Sequence, residues 1–322
     1  MIRAILCLVI FWNVENYFDP FNDSSTNDGD FTPQGYYSWT WRKFLKKRND
    51  IAKTLIACGL QEDGTWEAPC IIGLCEIENY FVLHRLVTDS PLDPLDYGII
   101  HRDSPDHRGI DVALLYRKEA FTPLKTVFYA LTHEDGTPAA TREILYVKGV
   151  YKGRDTLHFF VNHWPSKLGG SAAKAMRMKA SETLQLAVDS LMTARPGAGI
   201  IVMGDFNDSP KAQAIRRLES EHLTNVSAGD TYKFQGAWEC IDQFLVSPSV
   251  QQSLVYVKVV RLPFLLEPDA THMGLKPRRT YLGPAYKGGI SDHLPISLKI
   301  INFTGHVKTA RKHPIDETVL CH

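Results

Sequence analysis

The 322-residue sequence lacks the patterns of several protein classes. Its 36 Lys and Arg residues equal its 36 Asp and Glu residues, so the formal net charge is zero. Proteins that follow long stretches of duplex backbone are usually basic, so the neutral total argues against that class but not against a small phosphorylated substrate. No Gly-x-Ser-x-Gly motif occurs, which disfavours a serine hydrolase. Repeats, low-complexity blocks and linkers are also missing, and the length fits one large domain or two smaller ones.

Cysteines are few, and their spacing fits neither a zinc site nor a disulfide framework. No Cys-x-x-Cys pair is accompanied by a second such pair or by a suitably spaced histidine, and most cysteines have apolar neighbours. We therefore expect buried free thiols, and this usage favours a cytoplasmic protein. The six cysteines are Cys7, Cys58, Cys70, Cys75, Cys240 and Cys321.

The first ten residues are the one segment with the look of a membrane or export signal. They are basic and then apolar, but they lack a small-x-small cleavage site and run directly into Phe11-Trp12-Asn13. The run is too short to span a bilayer, so no transmembrane span is expected. We interpret it as the first strand, with a truncated export or anchoring segment as the alternative, which would make the protein exported.

A short apolar run, Ile200–Met203, is followed by Gly204-Asp205-Phe206-Asn207 and stopped by Pro210. This pattern predicts a strand buried on both faces, and if its geometry persists, Asp205 and Asn207 point to one side. A carboxylate and an amide at the mouth of a sheet suit a ligand site, because carboxylate oxygens bind hard cations such as Mg²⁺ and an amide can donate to a phosphate oxygen. The alternative is a strand followed by an ordinary Asp/Asn-rich turn.

Two main amphipathic helices are predicted, over Trp39–Cys58 and Ala172–Met192, with shorter helices over Tyr80–Val87 and Ala212–Leu218. Residues 238–246 are predicted as one strand that carries an acid, and residues 263–289 as a long basic loop. The other predicted strands cover residues 69–75, 97–101, 109–116, 121–131, 144–151, 156–161 and 296–300. This order of elements fits a two-sheet sandwich flanked by helices, followed by a polar tail over residues 303–322.

Charged and polar side chains, which are costly to bury, recur at the ends of these strands or inside them. Taken singly, each has a simpler explanation, such as a turn cap, a surface ion pair or a core histidine with its hydrogen bonds satisfied. Together they match metal-assisted phosphoryl chemistry, which needs oxygen ligands, a group to orient water and cationic donors. The residues are Asn13, Glu76, Asp111, Arg142, His163, Asp205, Asn207, Asp242, Asp292 and His293.

Seven segments, in order, resemble the endonuclease/exonuclease/phosphatase superfamily, which includes DNase I-like nucleases, abasic-site endonucleases, sphingomyelinases and inositol-polyphosphate phosphatases. The resemblance implies a four-layer α/β sandwich of two mostly antiparallel sheets flanked by helices, in a domain of residues 1–302. The segments are Trp12-Asn13-Val14-Glu15-Asn16, Gly73-Leu74-Cys75-Glu76, Gly109 to Tyr116, Asn162-His163-Trp164-Pro165-Ser166, Gly204-Asp205-Phe206-Asn207, Ile241-Asp242 and Ser291-Asp292-His293.

The resemblance also implies a magnesium centre, with Mn²⁺ as an alternative ion. Glu76 would be the main Mg²⁺ ligand, supported by Asn13 and Asp292. Asp205 would hold or deprotonate the attacking water, and Asn207 would hydrogen-bond a phosphate oxygen.

Two histidines complete the implied catalytic set. His293 would face the phosphate, with Asp242 fixing its tautomer and favouring the imidazolium. His163 would be the second histidine, paired with Asp111, and Arg142 would contact the phosphate.

Basic residues follow one of these strands and precede another, and they could form a cationic rim or simply two solvated loops. For substrate binding we single out Lys167, Arg279 and Tyr281, the last of which could stack on a base or only pack. A DNase-like endonuclease that acts on DNA or RNA is the first prediction. A sugar-phosphate or lipid-phosphate hydrolase and an inactive binding module of the same fold are the alternatives, and no obligate protein partner is expected. The rim residues are Lys167, Lys174, Arg177, Lys276, Arg278, Arg279 and Lys287.

Overall fold

The computed structural model describes residues 6–220, 222–227 and 229–301. Its α-helices are α1 (Trp41–Ala57), α2 (Tyr80–Thr88), α3 (Gly170–Ala194), α4 (Gln213–Leu218) and α5 (Pro248–Gln251). Its strands are β1 (Leu6–Tyr17), β2 (Ile71–Ile77), β3 (Tyr97–His101), β4 (Asp111–Arg117), β5 (Phe121–Tyr129), β6 (Ile144–Tyr151), β7 (Asp155–His163), β8 (Gly199–Asp205), β9 (Thr224–Asn225), β10 (Tyr232–Phe234), β11 (Ala237–Glu239), β12 (Asp242–Val246), β13 (Leu254–Val259), β14 (Leu266–Pro268), β15 (Leu275–Pro277), β16 (Tyr281–Leu282), β17 (Ala285–Tyr286) and β18 (Ile296–Ile301).

Twelve of these strands form two six-stranded sheets. The first has the order β13-β18-β1-β2-β4-β3, and the second has the order β5-β6-β7-β8-β12-β9. Each sheet contains one parallel pair near its centre, β1 with β2 and β7 with β8, and the other neighbours are antiparallel. Because parallel strands end at the same edge, each sheet brings two strand ends together.

The inner faces of the two sheets pack against each other. Val9 and Phe11 of β1 lie in one buried cluster with Val161 of β7 and Met203 of β8. The sheets approach so closely that a Cβ added to Gly73 of β2 would lie 2.9 Å from the Met203 Sδ. A side chain at position 73 would therefore force the sheets apart locally.

Helices cover the outer faces. The apolar side of α1, with Phe44, Ile51 and Leu55, packs with Trp12 of the first sheet in a second buried cluster. Ala180, Leu184 and Val188 of α3 follow an i, i+4 spacing and pack with residues of β8 in a third cluster. These clusters separate four layers, which confirms the predicted α/β sandwich of two mostly antiparallel sheets.

The structure corrects two predicted elements. Residues 263–289 are not one long loop, because Leu266–Pro268 pairs with Leu275–Pro277 and Tyr281–Leu282 pairs with Ala285–Tyr286. Gly274 and Gly283, at φ +70° and +55°, supply the left-handed backbone of these turns.

The predicted strand over residues 238–246 is two strands, β11 and β12. β11 pairs with β10 through a turn at Gln235-Gly236, where both residues have positive φ. β12 joins the second sheet instead and begins at Asp242. Asp242 therefore lies at a strand end, where its side chain reaches the site described below.

The predicted polar tail over residues 303–322, and the first five residues of the proposed first strand, lie outside the described residues. In the part of the chain that the structure describes, no helix is long and apolar enough to cross a membrane. The cysteines with described positions are free thiols, as predicted, and four of them are buried.

His158 in β7 is predicted to contribute a loss of stability between about pH 6.5 and pH 4. Burial, followed by Lys148 and Arg195, lowers the pKa of His158 to about 4, and the ring lies 2.8 Å from the Tyr146 hydroxyl. Below the model-peptide pKa near 6.5 the unfolded chain takes up a proton that the folded chain does not, so folding is disfavoured by up to about 3 kcal/mol at pH 4.

Urea unfolding at pH 7.0 and 4.5 measures this effect. On going from pH 7.0 to 4.5, the free energy of unfolding of His158→Gln should rise relative to that of the wild type, whereas His133→Gln, at an exposed turn position, should change with pH as the wild type does. An equal change in the free energy of unfolding between the two pH values for wild type and His158→Gln would contradict the role given to His158.

Candidate active site

A pocket of about 290 Å³ opens where the ends of the two central parallel pairs meet. Both sheets contribute to it, since Glu76 lies on β2 of the first sheet and His163 and Asp205 end β7 and β8 of the second. Register places His163 directly beside Asp205, and Asp205 directly beside Asp242. The lining residues are Glu15, Asn16, Glu76, Arg108, His163, Ser166, Lys167, Leu168, Asp205, Asn207, Tyr232, Phe234, Glu239, Ile241, Arg279, Asp292 and His293.

Left-handed backbone directs several of these side chains into the pocket. Glu76 has φ +60° and interrupts the β2–β4 ladder between Cys75 and Ile77. Glu15 and Asn16 have φ +51° and +49° at an irregularity in the β1–β2 ladder. Non-glycine residues in this conformation cost free energy and concentrate at functional sites.

Asp205 is the centre of the hydrogen-bond network. Its Oδ2 accepts from the Asn13 amide at 3.0 Å, and its Oδ1 accepts from the backbone N–H of Asn207 at 2.9 Å. The same Oδ2 lies 3.8 Å from the Nε2 atoms of both His163 and His293. Burial raises the pKa of Asp205 to about 7 with help from Asp242, although His293 acts in the opposite direction. A carboxyl group that titrates near neutrality suits a general base.

Asn207 reaches the pocket by a different route from the one predicted. The strand ends at Asp205, and Asn207 has φ +50°, so strand alternation does not continue to it. An Asx turn, closed by the bond from the Asn207 N–H to Asp205, brings the two side chains together. One amide hydrogen of Asn207 bonds the Trp164 carbonyl at 2.9 Å. An amide carries two hydrogens, so Asn207 retains one for a ligand.

His293 and Asp242 form a buried pair. His293 Nδ1 lies 2.8 Å from Asp242 Oδ2, and the Thr231 hydroxyl donates to the same carboxylate oxygen. Burial alone would lower the pKa of His293, but the charges of Asp242 and Asp205 outweigh it and raise the pKa well above the usual value. His293 therefore faces the pocket as an imidazolium whose Nε2–H is a donor.

His163 has the opposite character. Burial, with the charges of Arg142 and Arg108, lowers its pKa well below the usual value, so its ring is neutral. Its Nε2 lies 3.9 Å from Glu76 Oε1 and 3.8 Å from Asp205, and its Nδ1 has no hydrogen-bond partner among the described residues. One cationic and one neutral imidazole thus flank a single carboxylate.

The predicted pairing of His163 with Asp111 does not occur. Asp111 begins β4, two strands from β1, and its Oδ1 accepts from the backbone N–H of Ser104 at 2.9 Å. Its Oδ2 lies 3.5 Å from the Nε2 of His101. Asp111 therefore holds the loop before β4 and does not line the pocket.

Arg142 is likewise not at the pocket wall. Its guanidinium is buried, forms a 2.8 Å ion pair with Asp106, and donates to the Trp164 carbonyl at 3.0 Å. The family resemblance had implied that Arg142 is the phosphate-contacting arginine. Through these two partners, Arg142 joins the 102–110 loop to the segment that follows β7.

Asn13 was predicted to support the metal site, and in the structure its side-chain amide holds two carboxylates in place. Its amide donates to Asp205 and, at 3.4 Å, to Glu76 Oε1. Its side-chain oxygen, Oδ1, accepts from the Glu15 N–H at 2.9 Å. The Asn13 oxygen is therefore already bonded, and its amide links the two sheets at their shared edge.

The donor set fits a hard cation such as Mg²⁺. Glu76 and Asp292 present carboxylates to the pocket with 14% and 19% of their side chains exposed. Mg²⁺ is commonly held by one or two carboxylates, with waters and substrate phosphate completing the shell. Glu76 and Asp292, the predicted ligands, would hold the ion.

Two groups of three residues at the site have donor atoms within 4.8 Å of one another. One is Asp205 with Asp242 and His293, and the other is Asp205 with Cys75 and His163. Neither suits Mg²⁺. A protonated His293 offers no lone pair, and burial raises the pKa of the Cys75 thiol well above its usual value.

The predicted substrate residues are largely engaged by acids. Arg279 bonds Asp292 at 2.8 Å and Glu15 at 3.4 Å, and Lys167 bonds Glu239 at 2.6 Å, all at the pocket. Tyr281 is 7% exposed, donates to the Tyr37 carbonyl and lies in a neighbouring cleft. Of the rim residues predicted beyond these, Arg177 pairs with Asp208 and Lys276 with Glu267.

Sequence reasoning missed several pocket residues. Glu15 belongs to the Trp12–Asn16 motif, but no role was predicted for it. Its burial depends on Lys47 and Arg279, which lie more than 30 and more than 260 positions away in the sequence. Burial, Asp292 and these cations together leave the Glu15 pKa raised to about 7. Arg108 could have been considered from the sequence, because it directly precedes the motif that begins at Gly109. Tyr232 and Phe234 had no signal, because the β10–β11 hairpin itself was not predicted.

Comparisons with known proteins agree with this fold. A structure of an endonuclease/exonuclease/phosphatase family protein from Bacteroides thetaiotaomicron is 18% identical, covers 94% of this chain and 99% of its own, and has a TM-score of 0.62. The mannosyl-6-phosphatase Bt3783 of the same organism is 19% identical, with 91% and 98% coverage and a TM-score of 0.58. The human nocturnin catalytic domain with bound sulfate is 16% identical, with 94% and 98% coverage and a TM-score of 0.57.

At these identities the similarity shows the fold alone. A search of curated proteins found no match. A scan of protein families matched the Endonuclease/Exonuclease/phosphatase family over residues 8–302. Because that match covers nearly the whole sequence, the chain belongs to the Endonuclease/Exonuclease/phosphatase family and has its phosphoesterase fold.

Proposed function

We propose that this protein hydrolyses phosphate ester bonds with the help of a divalent cation. The observation that carries the proposal is the position of Asp205, whose carboxylate lies 3.8 Å from a neutral and from a cationic imidazole, and which shares the Asn13 amide with the Glu76 carboxylate. This arrangement supplies a base, a donor and an oxygen ligand in one pocket. Members of the superfamily are phosphoester hydrolases, and the family is generally dependent on divalent metals.

Each role follows from the protonation state of its group. Asp205 orients the attacking water and accepts its proton, since burial gives the carboxyl a pKa near neutrality. His293 donates from Nε2–H to a phosphoryl oxygen as negative charge develops there, and Asp242 keeps the ring cationic and correctly oriented. Asn207 donates its remaining amide hydrogen to another phosphoryl oxygen.

His163 completes the set as a neutral ring beside Glu76 and Asp205. A hydrogen on its Nε2 would serve as an uncharged donor to the phosphate, between the two carboxylates. Mg²⁺ held by Glu76 and Asp292 would polarise the phosphoryl group.

A compact phosphoester is the substrate that the pocket favours. The volume of about 290 Å³ is small, and Lys167 and Arg279, two cations that line the pocket, are already paired with acids. Duplex binding depends on several unpaired cations along a groove. We therefore place a sugar phosphate or a similar small ester ahead of the DNase-like endonuclease first predicted. One of the similar structures is named a mannosyl-6-phosphatase, and that name refers to a sugar phosphate.

A nuclease that accepts single strands or strand ends is the second candidate. Tyr232 and Phe234 line the pocket with their rings 6.5 Å apart and nearly parallel, and Phe234 is 45% exposed. Exposed aromatic faces next to a phosphate site can stack on bases.

Removing the base or the donor should abolish turnover without unfolding the protein. Asp205→Asn keeps an oxygen to accept from the Asn207 N–H and relieves the repulsion from Asp242, and His293→Ala removes the cationic donor. We expect each to lower kcat for a generic phosphoester by at least about 100-fold. Asp135→Asn, the same change in an exposed turn, is the matched control.

Steady-state kinetics and circular dichroism on the same preparations make the test. Wild-type turnover in folded Asp205→Asn or His293→Ala protein would contradict these roles. A folded wild type with no phosphoester turnover at all would favour the inactive binding module.

A substrate panel with Mg²⁺, Mn²⁺ and EDTA tests the substrate class. The panel compares sugar phosphates, inositol phosphates, sphingomyelin, RNA, single-stranded DNA and plasmid. We expect turnover of a small ester, loss in EDTA and recovery on adding Mg²⁺ or Mn²⁺. Plasmid nicking without small-ester turnover would instead support the DNase-like endonuclease, and undiminished activity in EDTA would rule out the metal requirement.

A further inference from the structure

Arg108 stands apart from the other cations that line the pocket. Lys167 bonds Glu239 at 2.6 Å, and Arg279 bonds Asp292 at 2.8 Å. The Arg108 guanidinium has one carboxylate within ion-pair range among the described residues, Asp106 at 3.9 Å, and 54% of the side chain is exposed. Arg108 therefore has a guanidinium that is free to bind an anion.

Asp106 cannot neutralise Arg108, because another arginine already occupies it. The buried Arg142 bonds Asp106 Oδ2 at 2.8 Å, which leaves Oδ1. That second oxygen accepts from the backbone N–H of Arg108 at 3.0 Å, so its closest bond is to the main chain of the loop. The one acid beside Arg108 is thus committed to Arg142 and to the turn.

The loop that carries Arg108 is fixed at several points. Asp111 accepts from the Ser104 N–H at 2.9 Å, and the Asn27 N–H donates to the His107 carbonyl at 2.8 Å. Gly109 follows with φ +67°, and a Cβ there would lie 2.9 Å from the Thr26 side chain. These contacts hold the backbone on both sides of Arg108, so its long side chain extends from a rigid base into the pocket.

We propose that Arg108 binds the phosphoryl oxygens of the substrate, and that Arg142 positions Arg108 through Asp106. The inference rests on the proposed phosphoesterase function and assigns the phosphate-contacting role to Arg108. A guanidinium can bond two phosphate oxygens at once, and Arg108 lines the same pocket as Glu76, Asp205 and His293.

Charge within the pocket supports the assignment. Once the Lys167–Glu239 and Arg279–Asp292 pairs are set aside, Arg108 is the remaining Lys or Arg side chain among the described residues that line the pocket. An anionic ester needs cationic contacts within the pocket. Arg108 supplies a second such contact besides His293.

Inorganic phosphate, titrated calorimetrically in the presence of Mg²⁺, is the direct probe. We expect Arg108→Ala to weaken phosphate binding about 10- to 100-fold, with Arg108→Lys between it and the wild type. Arg102→Ala is the matched control, because Arg102 lies on the same loop but pairs with Glu143 and contacts the Phe128 ring outside the pocket. Added guanidinium should restore part of the turnover of Arg108→Ala and none of that of Asp205→Asn.

A double-mutant cycle tests the positioning role. Asp106→Asn should weaken phosphate binding in the presence of Arg108 and have little further effect in Arg108→Ala, since the lost contact is shared. Additive losses would show that Asp106 affects phosphate binding independently of Arg108, which would overturn the positioning role. If Asp106→Asn does not fold, Arg142→Lys replaces it, because the lysine keeps the charge but loses the planar guanidinium that contacts both Asp106 and Trp164.

The outcomes separate this proposal from the function on which it rests. Phosphate binding that is equal in wild type and Arg108→Ala overturns the proposal for Arg108, even if the enzyme is active. A wild type that binds phosphate through Arg108 but hydrolyses no ester overturns the function and leaves the phosphate contact in place. A wild type that hydrolyses an ester but binds no phosphate overturns the proposal for Arg108 and leaves the function in place.

Discussion

Burying Asp205 between two sheets costs free energy, because its carboxylate leaves water and lies beside the carboxylate of Asp242. Specific partners offset that cost. The Asn13 amide approaches from the first sheet, the Asn207 N–H from the turn after β8, and the imidazolium of His293 from the segment before β18. Since these partners come from chain segments far apart in sequence, the carboxylate can be buried only when the whole sandwich is assembled. The site therefore forms only in the assembled fold.

The parallel pairs at the sheet centres explain why the chemistry lies at one edge. β1 and β2 end together, as do β7 and β8, and the two edges face each other across the packed interior. Irregular backbone then turns side chains from the ladders into the shared pocket, as the left-handed Glu76 and Asn207 do. A regular strand would have directed Glu76 into the sheet interface or out to the helices. Local strain at these positions is thus the means by which a rigid scaffold presents its carboxylates.

Much of the fold and of the candidate site could be predicted from the sequence, and the misses have physical causes. Buried strands such as residues 200–205 have strong apolar patterns, and polar groups such as Asp205 and His293 stand out against them. Partners across the fold leave no such mark, so Asp111 was paired with His163 although it contacts Ser104 and His101. For the same reason Arg142 was taken for a ligand-binding residue, because nothing in the sequence indicates that Asp106 neutralises it.

The central claim is that Glu76, Asp205 and His293 converge on one divalent cation and one phosphate. Crystals soaked with Mn²⁺ and inorganic phosphate test it most directly, through the anomalous signal of manganese. We expect one strong peak bonded to a Glu76 carboxylate oxygen, with phosphate beside it within reach of Asp205 and His293. A pocket without manganese, or manganese bound instead by His101, Asp103 and Asp111, the other described group with three close donor atoms, would contradict it.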